Sequence, residues 1–247
     1  MPRKTCLVTG ANRGLGRGLV QALLLSPNTT VIATVRDPSS PSSTSLEASP
    51  KGKGSKLIVE KIDARSRTDA VEAVQRLRAH AGIKTLDIVI ANSGISSRHG
   101  PTHEIPVSEV ADHFEVNALG PLLLYQATKP LLEAAESPVF VAISSVVASI
   151  TNVGDFQLPN TAYATSKAAL NFIMRKIHYE NSRLIALTLH PGWVQSDMGN
   201  AAAARAGLTE APVTIEASVK GILCQIEQAR RTEHGQFLSY DGAEIGW

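Results

Sequence analysis

Thr5-Cys6-Leu7-Val8-Thr9 runs straight into Gly10-Ala11-Asn12-Arg13-Gly14-Leu15-Gly16, and this junction decides the fold. The first five residues are apolar or β-branched, the composition of a short buried strand. Glycines then allow a tight turn, and Leu15, Leu19, Val20, Leu23 and Leu24 recur at helical spacing. A strand that turns on glycines into a helix presents free N–H groups and the positive end of the helix dipole. That arrangement predicts a seat for the pyrophosphate of a dinucleotide.

Outward from this junction, strands and helices alternate. The patterns predict strands at Val31–Val35, Lys56–Ile62, Leu86–Ala91, Val139–Ile143, Leu184–Leu189 and Gly235–Leu238. Helices are expected over Thr68–His80, Val107 to about Val116, Asn117–Ala135, Ala162 to about Tyr179 and Ile215–Gln228. Asp37–Ser55, rich in Ser, Pro, Gly and Lys, reads as a long loop with one helical turn near Leu46. The order predicts one doubly wound α/β domain of Rossmann type: a mostly parallel seven-stranded sheet with helices on both faces. Its cofactor half spans about 1–145 and its catalytic and substrate half about 146–247. No internal repeat is visible.

Composition narrows the partners. A net charge of +2 over 247 residues, with scattered Lys and Arg, argues against nucleic acid. No apolar run approaches the roughly 18 residues of a membrane span. Cys6 and Cys224 form no paired framework, so a reduced, cytoplasmic setting without a zinc site is expected, with both thiols as buried apolar groups. The first strand begins near Thr5, which leaves no room for a signal peptide. His99 and His103 are four apart, but Gly100-Pro101 interrupts any helix between them, so no metal site is predicted.

Tyr163 and Lys167 stand four apart in Thr161-Ala162-Tyr163-Ala164-Thr165-Ser166-Lys167. On a helix they share a face. A free tyrosine titrates near about 10. A cation within a few ångströms lowers such a value by roughly 1–3. The pair therefore predicts a phenol made acidic enough to protonate a carbonyl oxygen as hydride reaches the carbon.

The Gly-x3-Gly-x-Gly spacing after Thr9 is followed by Ala91-Asn92-Ser93-Gly94, Asn117, Ser144-Ser145 and Tyr163-x3-Lys167. This ordered set resembles the short-chain dehydrogenase/reductase family over nearly the whole chain. Pro191-Gly192-Trp193-Val194-Gln195-Ser196-Asp197-Met198-Gly199 is similar to its single-domain carbonyl-reductase branch, with sniffer-type and C-factor-type proteins. Fungal polyketide ketoreductases of the norsolorinic acid type are similar too. The resemblance implies that Gly10, Asn12, Arg13, Gly14, Leu15 and Gly16 cradle the cofactor. It further implies that Asp63 caps the adenine, that Asn92 and Gly94 line the adenine ribose side, and that Pro191, Val194 and Ser196 meet the nicotinamide. Tyr163 and Lys167 would touch cofactor as well as substrate, Lys167 through the nicotinamide ribose. Ser145, with Ser144 as rival, would polarise the carbonyl. Asn117 would hold a water that resupplies protons through Lys167; the alternative is an interior helix amide that satisfies backbone.

An acidic residue at the end of the second strand would select NAD(H). Here Thr34-Val35-Arg36 stands there, and Arg36 with Arg13 suits the 2′-phosphate of NADPH. Asp37, one place later, would weaken that preference if it pointed inward. The expected substrate is a small-molecule carbonyl or alcohol, uncharged and of aromatic or polyketide origin, framed by Ser96–Pro106, Ile150–Pro159 and a lid at 197–212. A homodimer or homotetramer through the two long helices is expected. The alternatives are a non-catalytic NADP(H) sensor or scaffold, and a sugar-nucleotide epimerase, for which little chain remains after Gly192.

Overall fold

A computed structural model describes residues 4–97, 99–155 and 158–247. Seven strands form one sheet: β1 Lys4–Thr9, β2 Thr29–Val35, β3 Lys56–Lys61, β4 Ile88–Ala91, β5 Val139–Ile143, β6 Ile185–His190 and β7 Gln236–Ser239. Their order is β3-β2-β1-β4-β5-β6-β7. Every pairing is parallel. The order reverses between β1 and β4, so their carboxyl ends open the crevice where ligands bind in such sheets.

The strands are apolar on both sides because helices cover both faces. Cys6 and Val8 of β1 face one layer, where α1 (Gly14–Leu25) and α8 (Ile215–Gln228) contribute Leu19, Leu23, Ile222 and Ile226. Leu7 faces the other layer with Leu77 of α3 (Asp69–His80). There Leu124 and Leu131 of α5 (Gly120–Glu133) pack with Leu170 and Met174 of α6 (Thr161–Glu180).

The helical turn expected near Leu46 is a 3-10 turn over Ser45–Ala48 that buries Leu46 completely. Four features depart from the expectations. A short helix, α2 (Pro41–Thr44), precedes that turn. The break expected near Asn117 is a π-turn, Glu115–Leu119, joining α4 (Val107–Phe114) to α5 without a loop. The anticipated lid is helical over α7, Asp197–Arg205. Ser196 caps it by accepting the Gly199 N–H at 3.2 Å, and Ala201–Ala204 are the strongest helix formers. Cys224 is exposed rather than buried, because α8 turns Val219, Ile222 and Ile226 inward instead. Cys6 is buried as expected, and burial pushes its thiol up to about 12.

Candidate active site

The glycine turn sits at the carboxyl end of β1. Gly10 adopts φ +64°, in the left-handed region that favours glycine. A Cβ on Gly16 would stand 2.2 Å from the Gly10 carbonyl oxygen and 2.6 Å from the Asn92 side-chain nitrogen. Thr9 Oγ1 accepts the N–H groups of Asn92 and Ser93, each at 3.0 Å. Asn92 Nδ2 donates back to the Thr9 carbonyl at 2.8 Å. The ends of β1 and β4 are thus laced across the switch point, and the Asn92 amide is engaged in that lacing. Leu15 is partly buried and packs against the core. A bare backbone turn at a helix N-terminus fits a pyrophosphate.

The charged groups beside this turn lie at the surface. Arg36 is exposed at the end of β2. Arg13 pairs with Asp197 at 3.3 Å, with side chains 68% and 83% exposed, so the pair contributes at most about 1 kcal/mol. Asp37 folds onto its own turn: its carboxylate accepts the Ser39 N–H at 2.9 Å and the Ser39 hydroxyl at 2.5 Å. Those bonds hold it below the usual carboxylate range. Asn12 Nδ2 donates to Ser42 Oγ at 2.9 Å, and Arg17 donates to the Ser42 carbonyl at 3.1 Å and Ser45 Oγ at 2.9 Å. Arg17, absent from the sequence reading, therefore ties α2 to α1. Asp63 Oδ1 accepts the Arg65 N–H at 3.0 Å, beyond β3.

Ser145, Tyr163, Lys167 and Asn117 come together beyond the ends of β4 and β5. The Lys167 Nζ donates to the Ile143 carbonyl at 2.7 Å and lies 5.9 Å from the Tyr163 ring centroid. Lys167 is 4% exposed, and burial lowers its ammonium to about 8. Burial raises the Tyr163 hydroxyl, and the adjacent Ser145 hydroxyl offsets this only in part. Acidification of the phenol by Lys167 is therefore not realised in this arrangement, because desolvation is the larger effect. Ser144 is buried and donates to Asn171 Oδ1 at 2.6 Å, so it faces away from the Tyr163–Ser145 pair.

Three hydrogen bonds to protein engage the Asn117 side chain. Its Oδ1 accepts the Ile95 N–H at 2.8 Å, and its Nδ2 donates to the Ile95 carbonyl at 2.9 Å and to Ser166 Oγ at 3.0 Å. Ser166 Oγ in turn donates to the Tyr163 carbonyl at 2.7 Å. These bonds hold the 95 segment against α6. A Cβ on Gly94 would lie 3.0 Å from Asn117 Oδ1 and 3.6 Å from Lys167 Nζ. Ser166, and His113 on α4, are partners that the sequence reading passed over. A serine or histidine in an apolar helix carries no motif of its own.

Near the nicotinamide-side residues, the Pro191 carbonyl accepts the Ser218 hydroxyl at 2.6 Å, and buried Val194 bridges to Val213. The Ser196 hydroxyl is occupied by capping α7. His190 is mostly buried, and burial pushes its imidazole down to about 4. The segments expected to frame the cleft carry exposed Ile150, Val153, Leu158, Met198 and Leu208. They also carry a polar clasp, Arg205 to His99 Nε2 at 2.8 Å. Arg98, Phe156 and Gln157 of the expected walls lie outside the described residues. A separate concavity of about 370 Å³ lies at the opposite end of the sheet, lined by Tyr125, Lys129, Glu133 and Arg183. Lys129 pairs with Glu133 there, and Arg183 donates to the Glu133 carbonyl.

The chain is similar to known proteins along its length. The family model for short chain dehydrogenase matches residues 4–207. Norsolorinic acid ketoreductase of Emericella nidulans is 45% identical, covering 99% of this chain and 94% of its own length. The norsolorinic acid ketoreductase of Dothistroma septosporum is 42% identical, covering 99% and 93%. Among solved structures, the NADPH-bound carbonyl reductase from chicken fatty liver superposes with a TM-score of 0.87 at 29% identity, over 100% of both chains. Carbonyl reductase Sniffer of D. melanogaster superposes with a TM-score of 0.85 at 27% identity, over 100% of both chains.

Proposed function

The chain belongs to the short-chain dehydrogenase family, and we propose that it is an NADPH-dependent ketoreductase for a bulky, uncharged carbonyl compound. Carbonyl reduction itself follows from the family and its ketoreductase relatives. The observation that carries the residue-level reading is the convergence of Ser145, Tyr163 and Lys167 beyond the strand ends, beside the glycine turn.

Gly10, Asn12, Arg13, Gly14, Leu15 and Gly16 would hold the pyrophosphate side, and Asp63, Asn92 and Gly94 the adenosine side. Pro191, Val194, Ser196 and Lys167 would hold the nicotinamide half. When bound, the reduced cofactor supplies the hydride. Tyr163 gives its proton to the carbonyl oxygen, which becomes strongly basic as the carbon is reduced. Ser145 donates a hydrogen bond to the same oxygen and stabilises the alkoxide character that develops there. Lys167, buried beside the Tyr163 ring, would bond the nicotinamide ribose and so place the cofactor against that phenol. Asn117 keeps Ile95 and α6 in register, so that these groups hold their places.

NADPH over NADH is supported by exposed Arg36, by Arg13 with only a weak surface partner, and by Asp37 turned into its own loop. Apolar exposure at Ile150, Val153, Leu158, Met198 and Leu208 supports a bulky uncharged substrate. Phe172, 68% exposed on α6, supports a homodimer or homotetramer through the long helices. The test is purified protein, NADPH and a panel of aromatic and aliphatic ketones. NADPH consumption matched by alcohol formation is expected. Tight NADPH binding without turnover across the panel would make the chain a sensor instead.

A further inference from the structure

His113 is fully buried on α4, one turn before Asn117. Its Nδ1 lies 2.7 Å from the Glu109 carbonyl oxygen, and its Nε2 lies 3.2 Å from the Ser97 backbone nitrogen. A carbonyl only accepts and a backbone N–H only donates. The ring is therefore neutral, with its proton on Nδ1 and a lone pair on Nε2. The Ser97 hydroxyl lies 3.4 Å from Nε2 and 3.2 Å from Glu109 Oε2, and it donates to the carboxylate.

Residues 92–97 lie in neither helix nor strand, so their backbone groups need partners from elsewhere. Asn117 takes both polar groups of Ile95, and His113 takes the N–H of Ser97. Four residues of helix rise about 6 Å. Two residues of chain reach at most about 7 Å. One helix face thus meets alternate residues of the passing segment. That segment begins at the Gly94 shelf beside Lys167 and leads to the cleft wall. The wall is fastened in turn to the start of α6: Gly100 N–H donates to the Pro159 carbonyl at 2.8 Å, and the Thr102 and Thr161 hydroxyls meet at 2.9 Å.

We infer that His113 is a positioning residue, which with Asn117 clamps Ile95–Ser97 and so sets the distance between the Lys167 shelf and the substrate wall. The clamp rests on geometry alone; its kinetic consequence rests on the ketoreductase reading. Removing the lone pair leaves the Ser97 N–H without a partner and frees the segment.

Three chains test this: wild type, His113→Leu, which keeps apolar volume but offers no acceptor, and His113→Gln, which keeps one at similar reach. Amide hydrogen exchange at Ile95 and Ser97 should quicken about tenfold or more in His113→Leu and stay near wild type in His113→Gln. With a ketone that the wild type reduces, kcat/KM should fall about tenfold in His113→Leu, mainly through the ketone KM, and recover in His113→Gln. The NADPH Kd should be unchanged in both. Unaltered exchange in His113→Leu, or equal effects in both variants, overturns the inference. If wild type reduces no ketone, the exchange result still decides the clamp, and only the ketoreductase reading falls. If His113→Leu does not fold, the ring 15N shifts of the wild type decide: a proton on Nδ1 upholds the clamp, and a proton on Nε2 overturns it.

Discussion

Ser144 Oγ donates to Asn171 Oδ1 at 2.6 Å, across the interior between the end of β5 and α6. Its neighbour Ser145 stands beside the Tyr163 hydroxyl instead. Adjacent residues of an extended chain point to opposite sides, so one serine serves the core and the other the cleft. Ser144→Ala should cost about 1–3 kcal/mol of stability, since it strips a buried amide of its partner, and leave kcat nearly intact. Ser145→Ala should keep the Tm and lower kcat by roughly two to three orders of magnitude. Thermal melts and steady-state rates on both variants check the division, and the reverse pattern would reassign the catalytic serine.

Tyr163→Phe removes the proposed proton donor and keeps the ring. NADPH binding should persist, while carbonyl reduction falls by at least about two orders of magnitude. Full turnover in this variant would remove Tyr163 from the chemistry.

Lys167 carries the pH dependence. Burial lowers its ammonium to about 8, against an ordinary value near about 10.4. The free protein therefore loses this charge as pH rises through 8, and NADPH affinity should weaken over that range. Cofactor titrations from pH 6 to about pH 9.5 should show the loss in wild type and a flat profile in Lys167→Met. The stability effect has the opposite sign. Between about 8 and 10.4 the unfolded chain holds the proton that the folded chain has released, so this residue's contribution to folding rises with pH.

Arg36→Glu should shift the ratio of kcat/KM values from NADPH toward NADH, because a carboxylate repels a 2′-phosphate and accepts from a ribose hydroxyl. A ratio equal to wild type would take Arg36 out of the phosphate site.

Gly16→Ala places a methyl group 2.2 Å from the Gly10 carbonyl oxygen. Backbone must shift to accommodate it, at a cost of about 1–3 kcal/mol. A lowered melting temperature together with lost cofactor binding is expected, and wild-type affinity would argue against a tight turn here.

The parallel sheet was legible because its signals are local: two-sided apolar strands such as Ile88-Val89-Ile90, and a glycine turn between strand and helix. Helix α7 had signals too, the Ser196 cap and the alanines after it, but proline and glycine nearby favoured a loop reading. The direction of the Tyr163 shift was not legible, since it depends on how far water is excluded. An amide satisfying backbone was one reading of Asn117, but its partner Ile95 was not legible, being 22 residues away with no periodicity to announce it. His113 was hidden for the same reason.

The π-turn at Glu115–Leu119 acts as a phase shift within one continuous rod. Each residue of an α-helix advances about 100°. Upstream of the turn α4 lies on α6, and downstream α5 lies on α3. Deleting a single residue there would swing one half round its axis relative to the other, so that either Asn117 lost Ile95 or Leu124 left the core. Length changes should thus be forbidden in this rod and tolerated at the surface turn around Gly207, where an added Cβ would meet nothing.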